Sequence, residues 1–426
     1  MAELLAAILF IAGYGMITME QKLFVNKAAT STLLAVVLWT IAALTIPSQE
    51  FTSFITQSGS DLFGLLVFLL TAMTLVEILI HYHAFDVLES WLRKIQFPLY
   101  NLAWALMGIT YVASMFIANL TMTIIMIQIA RRLFPKQLLI PVAIAVVIAS
   151  NTGGSTSPIG DVNTIMLWFA HKFTALQIIS MGLIPSLLTT YVAGLLLFRK
   201  IPKKACADLE CANGTFKPSH SDTAVIITAL VAFLLPLGAS VLNIPAYMGL
   251  LFGLGLVWVM IDFAKRARPQ TTHLQANIQN FMQHSDIESI QFFIGILLSV
   301  GALNALGVLQ TLTHIILGAV PTTWRIAEAF VGIGFASAIV DNIPLTAAAI
   351  NSLQNIPVNL WVLLALCVTS GGSLLIIGSA SGVVAMGMIK ELSFGKYFKV
   401  GFIPALLGFS AGIIAWTAEQ FAIGFF

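Results

Sequence analysis

The chain has 426 residues, 59% of them hydrophobic and 9% charged, with a net charge of +2. A water-soluble domain carries about 25% charged residues, and no soluble core of this length has the volume to hide so much apolar side chain. This excludes a soluble enzyme and a nucleic-acid-binding module, and leaves the lipid bilayer as solvent and principal partner. Cys206, Cys211 and Cys367 form neither a disulfide framework nor a CxxC metal pattern, and no cofactor is expected.

Glu3 stands where a cleavable signal would have basic residues, so the first apolar run, near 3–19, reads as a membrane helix. At about 20 apolar residues per crossing, further helices fall near 28–46 and 61–81. An amphipathic stretch at 84–96 precedes apolar runs at 98–117 and 120–133, an interrupted run at 137–171 and a helix at 175–198. A polar loop from Arg199 to Ser221 divides the chain. Beyond it lie 222–241, 245–262, 287–306, 308–340, 344–355, an interrupted run at 358–389, and 397–422.

The halves resemble each other. Thr152-Gly153-Gly154-Ser155 matches Ser370-Gly371-Gly372-Ser373 at an offset of 218, as Ile159-Gly160 matches Ile377-Gly378. Asn119 and Asn342 correspond at an offset of 223. Weak internal symmetry of this kind marks transporter repeats. The predicted fold is an all-α polytopic membrane protein of two inverted repeats, each with five transmembrane helices, one re-entrant hairpin and one broken helix. The first repeat takes residues 1–198, with its hairpin at 98–133 and broken helix at 137–171. A cytoplasmic linker takes 199–221. The second repeat takes 222–426, with its hairpin at 308–355 and broken helix at 358–389. With both termini outside, 18 of the 20 Lys and Arg residues fall on the cytoplasmic side, all but Lys172 and Arg325. This follows the positive-inside rule. Full crossings in place of re-entrant hairpins would blur that separation.

Helix breaks survive at membrane depth only against protein or a polar cavity. Two are strong here. Ser150-Asn151-Thr152-Gly153-Gly154-Ser155-Thr156-Ser157-Pro158-Ile159-Gly160-Asp161 is too rich in glycine, proline and hydroxyls for an ordinary spanning helix. The second runs from Thr369-Ser370-Gly371-Gly372-Ser373 through Gly378-Ser379-Ala380-Ser381-Gly382. Small residues also permit close helix packing, but that explains isolated positions, not twelve residues of loop chemistry. Half-helix ends present free carbonyl and N–H groups, and amides and hydroxyls such as Asn151 and Thr152 add oxygen ligands for a hard cation such as sodium.

Charged groups inside a bilayer are functional candidates by default. Three acids stand out: Asp161 after the first break, Asp341 at the second hairpin turn, and Glu77 in the third helix with His81 one turn later. A carboxylate that holds either a proton or a cation, but not both, gives antiport by competition. Asp161 and Asp341 also stand where helix caps belong, and Glu77 is close enough to its span end to reach water. His81, His83, His171, His314, Glu288 and Glu328 read as interfacial or solvated.

The stretches Ser150–Thr164 and Ser337-Ala338-Ile339-Val340-Asp341-Asn342-Ile343-Pro344-Leu345 resemble the NhaD-type sodium/proton antiporters. So do Glu20-Gln21-Lys22-Leu23, Asn26-Lys27-Ala28-Ala29 and Met73-Thr74-Leu75-Val76-Glu77. That family belongs to the ion transporter superfamily, with the divalent anion/sodium symporters as distant relatives. The resemblance implies exchange of external protons for cytoplasmic sodium or lithium by an elevator-like motion, in a bacterial inner membrane, and a homodimer. It places the ion site around Asn119, Asn151, Asp161, Thr164, Ser337, Asp341, Asn342, Ser370 and Ser373, with Glu77 as an accessory acid. The sodium ligands would be Asp161, Asn119, Asn151 and Asn342. Two positions depart from the family: Ala118 replaces the acid usual before Asn119, and Asn163 replaces a hydroxyl residue. Loss of that acid leaves sodium-coupled symport of a small anion on the same fold as the alternative. An intramembrane protease is disfavoured because HExxH is absent and neither Asp161 nor Asp341 sits in a protease motif.

Overall fold

A computed structural model describes residues 2–18, 20–95, 97–203, 218–267, 269–284, 286–317, 321–353 and 355–425. Cys206 and Cys211 lie outside the described residues, and Cys367 is buried. Among the described residues the chain is all-helical. The first half runs α1 (Ala2–Thr18), α2 (Glu20–Leu23), α3 (Lys27–Thr45), α4 (Ser48–His81), α5 (Ala84–Ile95), α6 (Leu99–Ser114), α7 (Asn119–Leu133), α8 (Lys136–Gly154), α9 (Val162–Phe169) and α10 (Ala175–Leu197). The second half runs α11 (His220–Ala232), α12 (Leu235–Val241), α13 (Ala246–Ala267), α14 (Thr271–Gln275), α15 (Ile278–His284), α16 (Ile287–Ala305), α17 (Val308–Leu317), α18 (Thr323–Ala336), α19 (Asn342–Ser352), α20 (Val358–Gly371), α21 (Ala380–Met388) and α22 (Phe394–Ala422). Eight spans among the described residues are long and apolar enough to cross a membrane.

Local chemistry sets several boundaries. The Asn26 side chain accepts from the Ala28 and Ala29 amides, at 2.8 and 3.2 Å, and so opens α3. α4 starts directly after Pro47 and runs 34 residues, about 51 Å at the helical rise. That exceeds a hydrocarbon core of about 30 Å, so the polar stretch Gln57–Asp61 extends the helix before residue 61, where apolar content alone starts it. The run 222–241 divides into α11 and α12 next to Pro236, which has no amide proton to donate. Within 308–355, the arms that meet at a turn are α18 and α19. α17 is a separate helix, and Thr322 caps α18 by accepting from the Arg325 amide at 3.3 Å.

The helices pack in two groups. In one, α16 packs on α3 and α4, α13 on α4 and α11, and α1 on α3. In the other, α10 packs on α22, α6 on α8, α18 on α20, and α20 on both α8 and α10. The groups meet where α16 touches α19 and α4 touches α9. Large apolar side chains such as Ile11, Leu33, Val36 and Leu44 face outward from α1 and α3. Water would penalise that surface and lipid tolerates it.

Within the second group, contacts recur at the offsets seen in the sequence. The Ser114 hydroxyl donates to the Ser150 carbonyl at 2.6 Å, and the Ser337 hydroxyl to the Val368 carbonyl at 2.7 Å. A Cβ added at Gly153 would overlap the Tyr111 carbonyl oxygen, and one added at Gly371 would overlap that of Gly334. Partners are also exchanged: α7 of the first hairpin packs on α21, and α19 of the second packs on α9. Each hairpin thus supports the short helix of the opposite half.

Candidate ion site

Asp161 begins α9 in extended backbone geometry, φ −142° and ψ 152°, and its amide donates to the Thr164 hydroxyl at 3.3 Å. Asp161 thus stands at the N-cap position of α9. It is 3% exposed and accepts from two side-chain amides: Asn119 Nδ2 at 3.0 Å on Oδ1 and Asn163 Nδ2 at 2.6 Å on Oδ2. An ionised carboxylate offers about four acceptor sites, so two amide donors orient it and leave lone pairs for a cation or proton.

Asn119 is the first residue of α7, after the four-residue turn Met115–Ala118. Its Nδ2 also reaches Asn151 Oδ1 at 3.2 Å, and its own Oδ1 accepts from the Leu120 amide at 2.7 Å. Asn151 then donates to Ser373 and Ser379 of the second break, at 2.9 and 3.0 Å. Both ends of the Asn151 amide are occupied, so this residue ties the two breaks together. Ser379 begins α21 with φ −141° and ψ 149°, the same geometry as Asp161, 218 residues later.

Asn119, Asp161, Asp341, Asn342, Ser379 and Lys27 line one cavity of about 80 Å³, with apolar walls that include Phe68, Phe116 and Phe292. The acids of the two halves therefore face one space. Asp341 precedes α19 and is half-buried. Its amide donates to the Tyr14 hydroxyl at 2.6 Å, and its carboxylate accepts from the Ile343 amide at 3.4 Å. Asn342 is buried, and its carbonyl accepts from Thr346 at 3.0 Å.

The remaining expected residues sit beside this cavity rather than on it. Thr152 donates to the Ile148 carbonyl at 2.7 Å and Thr164 to the Asp161 carbonyl at 2.9 Å. The Ser370 hydroxyl is bonded to the Leu366 carbonyl, and the Ser373 carbonyl accepts from Tyr397 at 2.6 Å. These groups, with Ser337, hold the breaks in shape. Glu77 is four residues beyond Met73, which lines the cavity, while Glu77 itself does not. His81 meets the Thr272 carbonyl at 3.0 Å, at the end of α4.

Residue-type reasoning passed over Ser379, Asn163, Thr346 and Lys27. Adding 218 to Asp161 would have found Ser379. Asn163 stood out only as a departure from the family, yet it bridges Asp161 to α19, because Thr346 donates to its Oδ1 at 3.1 Å. A second cavity of about 780 Å³ is lined by Asp61, His171, Lys172, Asn304 and Asn351 among others. Ile165 and Ile343 line the first cavity, and their near neighbours Met166 and Ala347 line the second. Asn163 and Thr346 line neither cavity. Lys172 lies over the Trp361 ring at 4.7 Å.

Helix breaks around a shared cavity with apolar walls and two acids, in an all-helical chain with lipid-compatible surfaces, define a polytopic membrane transporter. The fold is similar to that of the Alcanivorax borkumensis YdaH transporter, with a TM-score of 0.57 and 12% identity over 94% of this chain and 99% of that one. Residues 4–357 match the CitMHS family, described as citrate transporter. Sodium/proton antiporter 1 of Arabidopsis thaliana is 34% identical over 97% of this chain and 72% of its own length. Sodium/proton antiporter 2 of the same plant is 32% identical over 97% and 98%. The Na(+)/H(+) antiporter NhaD of Halomonas elongata is 26% identical over 98% and 89%. The chain belongs to the CitMHS family and to the NhaD-type sodium/proton antiporters.

Proposed function

We propose that the chain exchanges cytoplasmic sodium or lithium for external protons. The observation that carries this reading is Asp161, an acid held by two amide donors in a helix break and open to a cavity shared with Asp341. One carboxylate there holds a cation on one stroke and a proton on the return. Asn119, Asn342 and Ser379 add oxygen ligands from the cavity wall, suited to a hard monovalent ion. Asn151 positions the site by fixing one break to the other.

The two helix groups would act as scaffold and carrier in an elevator-like cycle of two inverted repeats. The first would span 1–198 and the second 222–426, joined by the cytoplasmic linker 199–221, in a plasma membrane with both termini outside and a second copy as partner. The 780 Å³ cavity, on the Lys172 side, would be the outer vestibule, and the Asn163–Thr346 bridge would close it off from the ion.

The family description, citrate transporter, favours a second reading: sodium-coupled uptake of a small carboxylate. One feature weighs against it: the charged lining of the cavity is two acids against one lysine, a poor match for a polyanion.

The test is a pH-sensitive dye in everted vesicles from antiporter-deficient bacteria expressing the chain. Adding sodium or lithium should collapse a preformed proton gradient, and Asp161→Asn should abolish the response. A silent wild type at normal expression would overturn antiport and transfer the weight to anion uptake.

A further inference from the structure

Lys27 is the one lysine or arginine among the residues that line the ion cavity. It is the first residue of α3, a position where the helix macrodipole disfavours a cation. What favours a positive charge there must come from outside α3. Among the described residues its ammonium makes no ion pair within 4.0 Å, although two acids are near in the chain fold. Glu20 accepts from the Lys27 backbone amide at 3.1 Å, and Glu288 accepts from the Asn26 side chain at 2.7 Å. The ammonium instead lies over the Phe292 ring, 5.5 Å from its centroid. Phe292 lines the same cavity as Asp341, and the Asp341 amide is bonded to Tyr14 of α1, the helix that packs on α3.

We propose that the Lys27 ammonium is a resident cation of the ion site, the counter-charge of Asp341, which leaves the single negative charge of Asp161 for one exchanged monovalent ion. The inference deepens the antiport reading and rests on it. The cavity holds two carboxylates and one ammonium, a net charge of −1. One sodium ion neutralises it on the outward stroke and one proton on the return, so the cycle moves no net charge. Lys27 belongs to the α3–α16 group and Asp341 to the hairpin of the other group. Relative movement of the groups would part them, so the counter-charge acts in one state of the cycle more than the other.

The experiment is equilibrium binding of radioactive sodium to the purified full chain, for the wild type, Lys27→Arg, Lys27→Gln, Asp341→Asn and the double variant Lys27→Gln/Asp341→Asn. Folding is checked by thermal melting in each case. Removing one unit charge several ångströms from the ion, in a medium between water and protein, should tighten binding about fivefold in Lys27→Gln. Lys27→Arg keeps the charge and should stay near the wild type. Asp341→Asn should weaken binding, because it leaves the ammonium uncompensated, and the double variant should recover most of that loss. In liposomes, exchange by the wild type should be indifferent to a clamped membrane potential, whereas exchange by Lys27→Gln should respond to it. A folded Lys27→Gln that binds like the wild type, or a double variant no better than Asp341→Asn, overturns the proposal. A wild type that binds sodium with this pattern but moves no protons overturns antiport while the counter-charge stands. A wild type that binds no sodium overturns both.

Discussion

The two break regions share a backbone and differ in charge. Both are pinned by a serine on the neighbouring hairpin, Ser114 or Ser337, and both press a glycine, Gly153 or Gly371, against a hairpin carbonyl. Both start their short helix with the same dihedral angles, at Asp161 and Ser379. At the short-helix start the acid belongs to the first half and the hydroxyl to the second. At the hairpin turn this reverses, with Ala118 in the first half and Asp341 in the second. Each half therefore contributes one acid, from a different corner of the same frame. Backbone geometry is duplicated because it solves a problem common to both breaks, the satisfaction of peptide groups at membrane depth. Charge is not duplicated because each further buried acid costs several kcal/mol and changes how many protons balance a cation.

The largest expected effect comes from breaking that division of charge. Asp161→Asn keeps the shape and removes the carboxylate proposed to exchange ions, so exchange should fall to background while expression and melting temperature hold. The matching Ser379→Ala should retain most exchange, because Ser379 is one oxygen among several on the cavity wall. Equal loss in both would mean that the two short-helix starts do the same chemistry. Next comes the shared backbone. Gly153→Ala and Gly371→Ala each force a methyl group into a backbone carbonyl, where overpacking costs about 1–3 kcal/mol or more. Both should lower thermal stability. Gly108→Ala, with nothing within 4 Å, should not. Ala118→Asp then tests the charge count by giving the first hairpin the acid of the second. It adds one negative charge beside Asn119 and should tighten sodium binding by about tenfold or less, with exchange becoming sensitive to membrane potential.

How much of this was legible in the sequence depends on scale. Membrane class, the two breaks and the acids Asp161 and Asp341 follow from composition and from residue types that lipid does not tolerate. The offset of 218 pointed to equivalent sites before any contact was known. The extension of α4 to Ser48 was not legible, because polar residues such as Gln57, Ser58 and Asp61 look like a loop unless one knows that they line a cavity. Lys27 was hidden for the opposite reason: it counts as one of the basic residues of a cytoplasmic segment, and only tertiary packing brings it to the cavity that Asp341 lines. Hydroxyls are ambiguous in the sequence. Thr152, Ser337 and Ser370 bond to carbonyls of their own or neighbouring helices, the usual fate of such groups in helices, and sequence does not distinguish these from ligands.

The smallest expected effect lies at the Asn163–Thr346 contact. Thr346 donates to Asn163 Oδ1 at 3.1 Å and also to the Asn342 carbonyl at 3.0 Å, and it is fully buried. Thr346→Val preserves the shape and deletes the hydroxyl. A net hydrogen bond is worth about 1 kcal/mol, so melting should drop by a degree or a few. The Asn163 amide would keep its bond to Asp161 but lose its tether to α19. If the bridge is the outer closure of the ion cavity, loosening it should let external protons reach Asp161 more often. Proton leak without sodium would then rise, with the sodium-driven rate changed by no more than about fivefold, the equivalent of one such bond. A leak equal to the wild type, in a variant with the small expected loss of stability, would make the Asn163–Thr346 contact a packing feature and place the closure elsewhere along α9 and α19.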